Sequence, residues 1–409
     1  MDVASIQVIV LSFVTLVTMA ANSKLEPLFS DELRYTSSID QVGNLKWVQG
    51  GEGTIVTLFN RIQRSQITKD TAFRLFPLSW ELQKGMYPND VKLNFHGEFQ
   101  YSLFRDKFRV PDNNMFTPAW VTSCLIEASM FGKSPKPSQR QIDLALNAID
   151  KYRNHNKPYK NSEMTFWHQK LNRTASYYQS SPDNLFEVLK MPDYLPQKLI
   201  EEILSFMGLD DIEKVLEKLF REGNMFFQAF HIPPDFDDTF VNIGLGGLLA
   251  LATDRGDYSE SFQTWKQQNS NLTSVFESVK KYAYRPFSTT SNQTTIDPRT
   301  YMYLHTFLEQ AEQNGQDVAL ISTWIQDTVE VVSLFDKGVS MPFNVNNVDI
   351  TVSANFIYGI IMCTCTKVCN QPDIYIDTDI QQIFMNTTSL IAHELKTNLS
   401  SRPDLALTY

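Results

Sequence analysis

Three runs of this chain read as helices that are apolar on nearly every face, and no other feature restricts its fold as much. They are VPDNNMFTPAWVTSCLIEAS (110–129), PPDFDDTFVNIGLGGLLALA (233–252) and NVNNVDITVSANFIYGIIMC (344–363). Each opens on two or more Asp or Asn residues with a Thr close by: Thr117, Thr239 or Thr351. A helix apolar all round has no side to offer water, so all three are expected to be buried on every face. Their starts lie roughly 110–125 residues apart, too far for a short-period solenoid.

The intervening segments carry the i, i+3, i+4, i+7 spacing of amphipathic helices. They include SQRQIDLALNAIDKYRNHN (138–156), the long stretch 196–224, PRTYMYLHTFLEQAEQNG and DVALISTWIQDTVEVVSLFDKG. About a dozen helices alternating between buried and amphipathic predict an all-α fold, an α/α toroid of two concentric rings. The inner helices would then open their N-termini at one end. The exceptions are VKLNFHGEFQYSLF (91–104), which alternates like a β-hairpin with Gly97 near its turn, and the polar loop 286–298. No stretch has a linker's length or composition. The expected organisation is a signal at 1–21, an N-terminal segment at 22–110 packed on the toroid, and the toroid body at 111–409.

The 409-residue chain is 43% hydrophobic with 28 Phe, enough for a substantial core. A formal charge of −10 and the lack of any Lys/Arg cluster exclude nucleic acid as an expected partner.

At the N-terminus, Ile6 to Met19 is apolar and ends in Ala20 and Ala21, the pattern of a cleaved secretory signal. The region before it holds Asp2 and no Lys or Arg, and Val3 to Ala21 is uncharged, so an uncleaved membrane anchor is the alternative. Five N-x-S/T sequons, at Asn172, Asn271, Asn292, Asn386 and Asn398, point the same way, to a lumenal or secreted glycoprotein. In an oxidising compartment Cys124, Cys363, Cys365 and Cys369 allow three full pairings. Partial pairing, buried free thiols and a four-thiolate zinc site are the other readings.

The segment DFDDT (235–239) crowds three carboxylates into four positions at a helix start. Capping is one explanation, because Asp and Asn are preferred N-caps and carboxylates favour the positive end of a helix. The other is chemical. A carboxyl among carboxyls in an apolar pocket stays protonated at neutral pH, and a strong neutral acid can protonate an alkene or epoxide.

DFDDT resembles the D-x-D-D-T motif of class II terpenoid cyclases, whose α/α toroid is shared with protein prenyltransferases. The resemblance covers about twenty strongly matching residues, the motif and the apolar helix behind it. It implies Asp237 as proton donor, with Asp235 and Asp238 as its modulators; His231, four residues upstream of Asp235, is a candidate hydrogen-bonding neighbour by its spacing. The carbocation formed would be stabilised by aromatic faces, for which Trp120, Phe240, Phe356 and Tyr358 are the candidates. Asn114 and Asn347, at the two other helix starts, are further substrate-binding candidates. The expected partner is a hydrophobic, isoprenoid-like small molecule, with peripheral membrane contact as a route of delivery. The Q-W repeat of triterpene cyclases is absent; FQTWKQ (262–267) is the nearest fragment.

No cofactor or metal is expected. LDDIEK (209–214) places Glu213 one position early for a Mg²⁺-binding D-D-x-x-D, and QPDIYIDTDI (371–380) lacks a full Ca²⁺ ligand pattern. Nucleotide, dinucleotide, zincin and serine-hydrolase fingerprints are missing. Two other functions stay open: a secreted carrier holding a hydrophobic ligand in the toroid, and a glycoside-cleaving enzyme using paired carboxylates.

Overall fold

A computed structural model describes residues 51–74, 79–91, 110–132, 134–158, 161–190, 198, 228–289, 291–366, 368–369 and 376–397. Several expectations lie outside these residues: the signal at 1–21, the site Asn398, and LDDIEK with the helix around it, apart from Lys198. Of the segments 91–104 and 371–380, only Val91 and residues 376–380 are described.

Among the described residues there are twelve α-helices. In chain order they are α1 (Gly51–Ser65), α2 (Phe116–Phe131), α3 (Gln139–Ile149), α4 (Asp183–Leu189), α5 (Phe236–Asp254) and α6 (Ser259–Gln268). They continue with α7 (Thr273–Tyr282), α8 (Ser291–Thr294), α9 (Pro298–Gln313), α10 (Glu330–Phe335), α11 (Ile350–Cys365) and α12 (Thr378–Lys396). Strands β1 (Asp90–Val91) and β2 (Val110–Pro111) pair antiparallel, so the segment expected to form a hairpin is bracketed by a short ladder. Strands β3 (Gln169–Asn172) and β4 (Tyr177–Ser180) form a second antiparallel pair that the sequence pattern did not announce. No described helix is long and apolar enough to cross a membrane.

Helix starts follow local chemistry. Ser138 and Gln141 form a capping box on α3. Asp297 caps α9 ahead of Pro298 in the first turn, and Asp349 caps α11 by accepting from Thr351 N and Val352 N. Helix α5 is at the centre. Every residue from Phe236 to Ala250 is buried, so the helix is enclosed on all faces. It packs against α2, α6 and α11, while α3 backs α2 and α6, and α12 backs α11. One continuous core runs from Met86 through Phe240 and Phe356 to Ile391.

The three runs expected to be wholly buried are neighbours, but they are not equally buried. Helix α11 is nearly enclosed, whereas α2 buries Pro118, Ala119, Thr122, Ser123, Leu125 and Ile126 and leaves its other positions half-buried. Its last residue, Phe131, is 38% exposed. The reason is coverage: α5 and α3 take two sides of α2 and leave a third only partly shielded.

A second difference concerns 317–338. Only Glu330–Phe335 is helical there; residues 318–327 are buried and extended, with Leu320 bridging Tyr284 and Trp324 bridging Asp235. An apolar run buried on both faces carries no periodicity that separates strand from helix.

Close approach explains the glycines of IGLGG. A Cβ on Gly244 would strike the Tyr358 ring of α11, one on Gly246 the Trp265 indole of α6, and one on Gly247 would lie 2.6 Å from Met362 Cβ. Cys363 and Cys369 form a disulfide at the end of α11, leaving Cys124 and Cys365 as free thiols.

Candidate functional site

The loops entering α2, α5 and α11 lie side by side, separated by two extended connectors. Met115 N donates to Phe166 O at 2.9 Å, and Asp235 N to Met164 O at 3.3 Å. Phe236 N donates to Thr323 O, Ile325 N to Pro234 O and Thr323 N to Asn347 O, each at 2.9 Å. This buried belt of backbone pairs gathers the acidic helix starts at one end of the three helices, and it satisfies backbone groups that burial would otherwise leave unpaired.

Within DFDDT the roles divide. Asp235 is the N-cap of α5; its Oδ1 accepts from Asp238 N at 2.8 Å. The Thr239 hydroxyl donates to Asp235 O at 2.6 Å and accepts from Met164 N at 3.0 Å. Capping therefore accounts for Asp235 and Thr239, and it leaves the carboxyls of Asp237 and Asp238 unexplained.

Those two are buried acids. Asp237 is 5% exposed and Asp238 is fully buried. Burial pushes Asp237 well above the ordinary carboxylate range, the Asp235 carboxylate adds to the effect, and Asp349 adds a little more. Opposing them, Asn355 Nδ2 of α11 donates to Asp237 Oδ1 at 2.5 Å. Asp238 is also raised well above its usual value, first by burial, then by the charges of Asp235 and Asp237. Proximity to the Asp235 side chain raises it further, and among the described residues no N–H or hydroxyl reaches either of its oxygens. Two buried carboxyls, each raised well above the ordinary carboxylate range, beside a third that caps the helix are the chemical content of this site.

The remaining candidates fall into three groups. Phe240 and Phe356 are fully buried one turn beyond Asp237, ring centroids 4.7 Å apart and edge to face. Trp120 of α2 stacks on Tyr358 of α11 at 5.5 Å, closing the seam between those helices. Asn114 and Asn347 serve the helix starts: Asn114 Oδ1 accepts from Thr117 N at 3.0 Å and Asn114 Nδ2 donates to Asp112, while Asn347 joins the belt through its carbonyl. Burial pushes the neighbouring Asp112 up to about 6.

His231 stands apart. Its Nδ1 lies 2.5 Å from Ser180 O and its ring packs against Phe186, so it makes no hydrogen bond to Asp235, Asp237 or Asp238. Sequence spacing put it near the acids, but the Pro233–Pro234 link carries the chain away from them, towards β4 and α4. Asn355, in contrast, was not foreseen. It lies in an apolar helix 118 residues from Asp237, and only the packing of α11 on α5 brings them together. Among the described residues no cluster of His, Cys, Asp and Glu is arranged to hold a metal ion.

No known protein family, no curated protein and no solved structure matches this chain. Fold and site define it as a mostly helical protein with two buried carboxyls, both raised above the ordinary range, at an enclosed helix start.

Proposed function

We propose that this chain is a terpenoid-cyclase-like protein of the secretory lumen, built as an α/α toroid with α2, α5 and α11 in its inner ring. In this reading Asp237 is the general acid that protonates an isoprenoid alkene or epoxide. The observation that carries it is Asp237 itself: buried, raised well above the ordinary carboxylate range by burial and by Asp235, and hydrogen-bonded by Asn355. When the proton leaves, the Asn355 amide already stands on the carboxylate oxygen and stabilises the conjugate base. Asp235 keeps the pair protonated while fixing the helix start. The Phe240–Phe356 pair, one turn away, offers aromatic density for a cation that has no counter-ion. Parallel entry of three apolar helices from one belt supports the inner ring, and the five sequons support the lumen.

The test is turnover of squalene, oxidosqualene and geranylgeranyl diphosphate by the purified chain, with products followed by mass spectrometry. Wild type is expected to cyclise one of them and Asp237→Asn none, with thermal unfolding nearly unchanged because Asn retains an acceptor for Asn355. Absence of turnover in the wild type, or equal turnover in the variant, would falsify the acid role.

A further inference from the structure

A groove of about 340 Å³ is lined in part by Pro233, Pro234 and Ile325, and none of the three Asp of the acid cluster reaches it. Its charged lining comes from separate parts of the chain: Lys157, Lys281 and Lys337 with Glu163 and Glu330. Glu163 is fully buried and held rigidly, accepting from Ser278 Oγ at 2.6 Å and Asn154 Nδ2 at 2.9 Å and pairing with Lys157 at 3.3 Å. Glu330 pairs with Lys281 at 2.6 Å and accepts from the Tyr282 hydroxyl at 3.0 Å. Each carboxylate is thus matched by a lysine.

The third lysine has no acid. Among the described residues Lys337 makes no ion pair; its Nζ stands 5.0 Å from the centre of the Tyr177 ring. Among the described residues, three lysines against two glutamates leave the lining net positive in a chain of formal charge −10. The two tyrosine rings decide between ligand classes. Lys281 Nζ lies 4.5 Å over Tyr282, as Lys337 lies over Tyr177, so both rings already carry an ammonium and neither is an open platform for a sugar or apolar ring. A charge-assisted contact from an exposed ammonium suits an anion instead. The volume is at the small end of ligand pockets.

We propose that this groove is a binding site for a small organic anion, carboxylate- or phosphate-bearing, with Lys337 as its principal contact and Lys281 as its second. The site is independent of the acid cluster.

Calorimetric titration and thermal unfolding of the intact chain test it, using citrate, glucose 6-phosphate and neutral glucose as probes. One of the two anions is expected to bind saturably and to raise the unfolding temperature by about 2 °C or more. Its affinity should fall as salt is added. Binding of citrate alone assigns a carboxylate ligand; binding of glucose 6-phosphate alone assigns a phosphate ligand. Lys337→Gln should weaken that binding about tenfold or more. Lys337 is exposed, so the variant is expected to unfold at the wild-type temperature without ligand. The proposal is overturned if neither anion binds, if glucose binds as tightly, or if Lys337→Gln leaves the affinity unchanged.

Discussion

At the scale of single residues, the acid cluster makes a stability statement as well as a chemical one. Asp237 and Asp238 are raised above the values they have in an unfolded chain. The folded state therefore holds protons that the unfolded state releases near pH 4. Their favourable contribution is full below that point and is lost as pH rises towards the folded-state values. Each group contributes at most about 1.4 kcal/mol per pH unit within that window. Asp238→Asn removes one titrating group while keeping a neutral side chain of the same shape, so its stability should depend less steeply on pH. Urea unfolding at pH 5 and pH 8 checks this. Identical losses in wild type and variant would mean that Asp238 is ionised in the folded protein.

At the scale of elements, the crossing of α5 and α11 depends on missing side chains. Glycine inside a helix ordinarily costs about 1 kcal/mol against alanine. Here the substitution should run the other way, because a Cβ on Gly247 would meet Met362 Cβ at 2.6 Å and the Met362 carbonyl oxygen at 3.0 Å. Overpacking of a filled core costs about 1–3 kcal/mol, so Gly247→Ala is expected to destabilise despite its better helix propensity. A lower urea midpoint at an unchanged slope is the expected signature. A stabilised variant would show that the two helices cross less closely. The same crossing brings Asn355 to Asp237, so this variant also probes the geometry of the site.

For the whole molecule, the testable property is compartment. Asn172 ends β3 at the turn of the second hairpin, half-buried, and its Nδ2 makes only a long 3.3 Å hydrogen bond to Gln179 Oε1 on the paired strand. Asn386 sits half-buried in the middle of α12 with its Oδ1 accepting from Ala319 N at 2.9 Å, a bond that turning the amide outward to carry a glycan would break. If the chain enters the secretory pathway, glycopeptide mapping should find Asn172 occupied and Asn386 bare. An unmodified chain from a eukaryotic secretion host would argue against the lumenal assignment, and a glycan on Asn386 would contradict the packing of α12 on the 317–320 segment. Legibility along the chain followed how locally each feature is encoded. The capped helices α3 and α9 were readable because cap and periodicity lie within one turn of each other, and α11 because its Asn/Asp start stands directly before an unbroken apolar run. The extended run 318–327 was not, because burial on both faces erases the alternation that marks a strand.

Local decisions were written in the chain: helix starts at Ser138, Asp297 and Asp349, an enclosed apolar helix behind DFDDT, and a crowded group of carboxylates. These follow from short-range hydrogen bonds and from side chains that have no favourable place in water. Tertiary structure alone decided the rest. Asp235 became the cap and left Asp237 and Asp238 as buried acids, Asn355 arrived from α11, His231 turned away to Ser180, and three lysines from distant segments met in one groove. Burial and charge proximity set the protonation of a carboxyl, and both depend on which distant segments pack around it, information that no local stretch of chain contains.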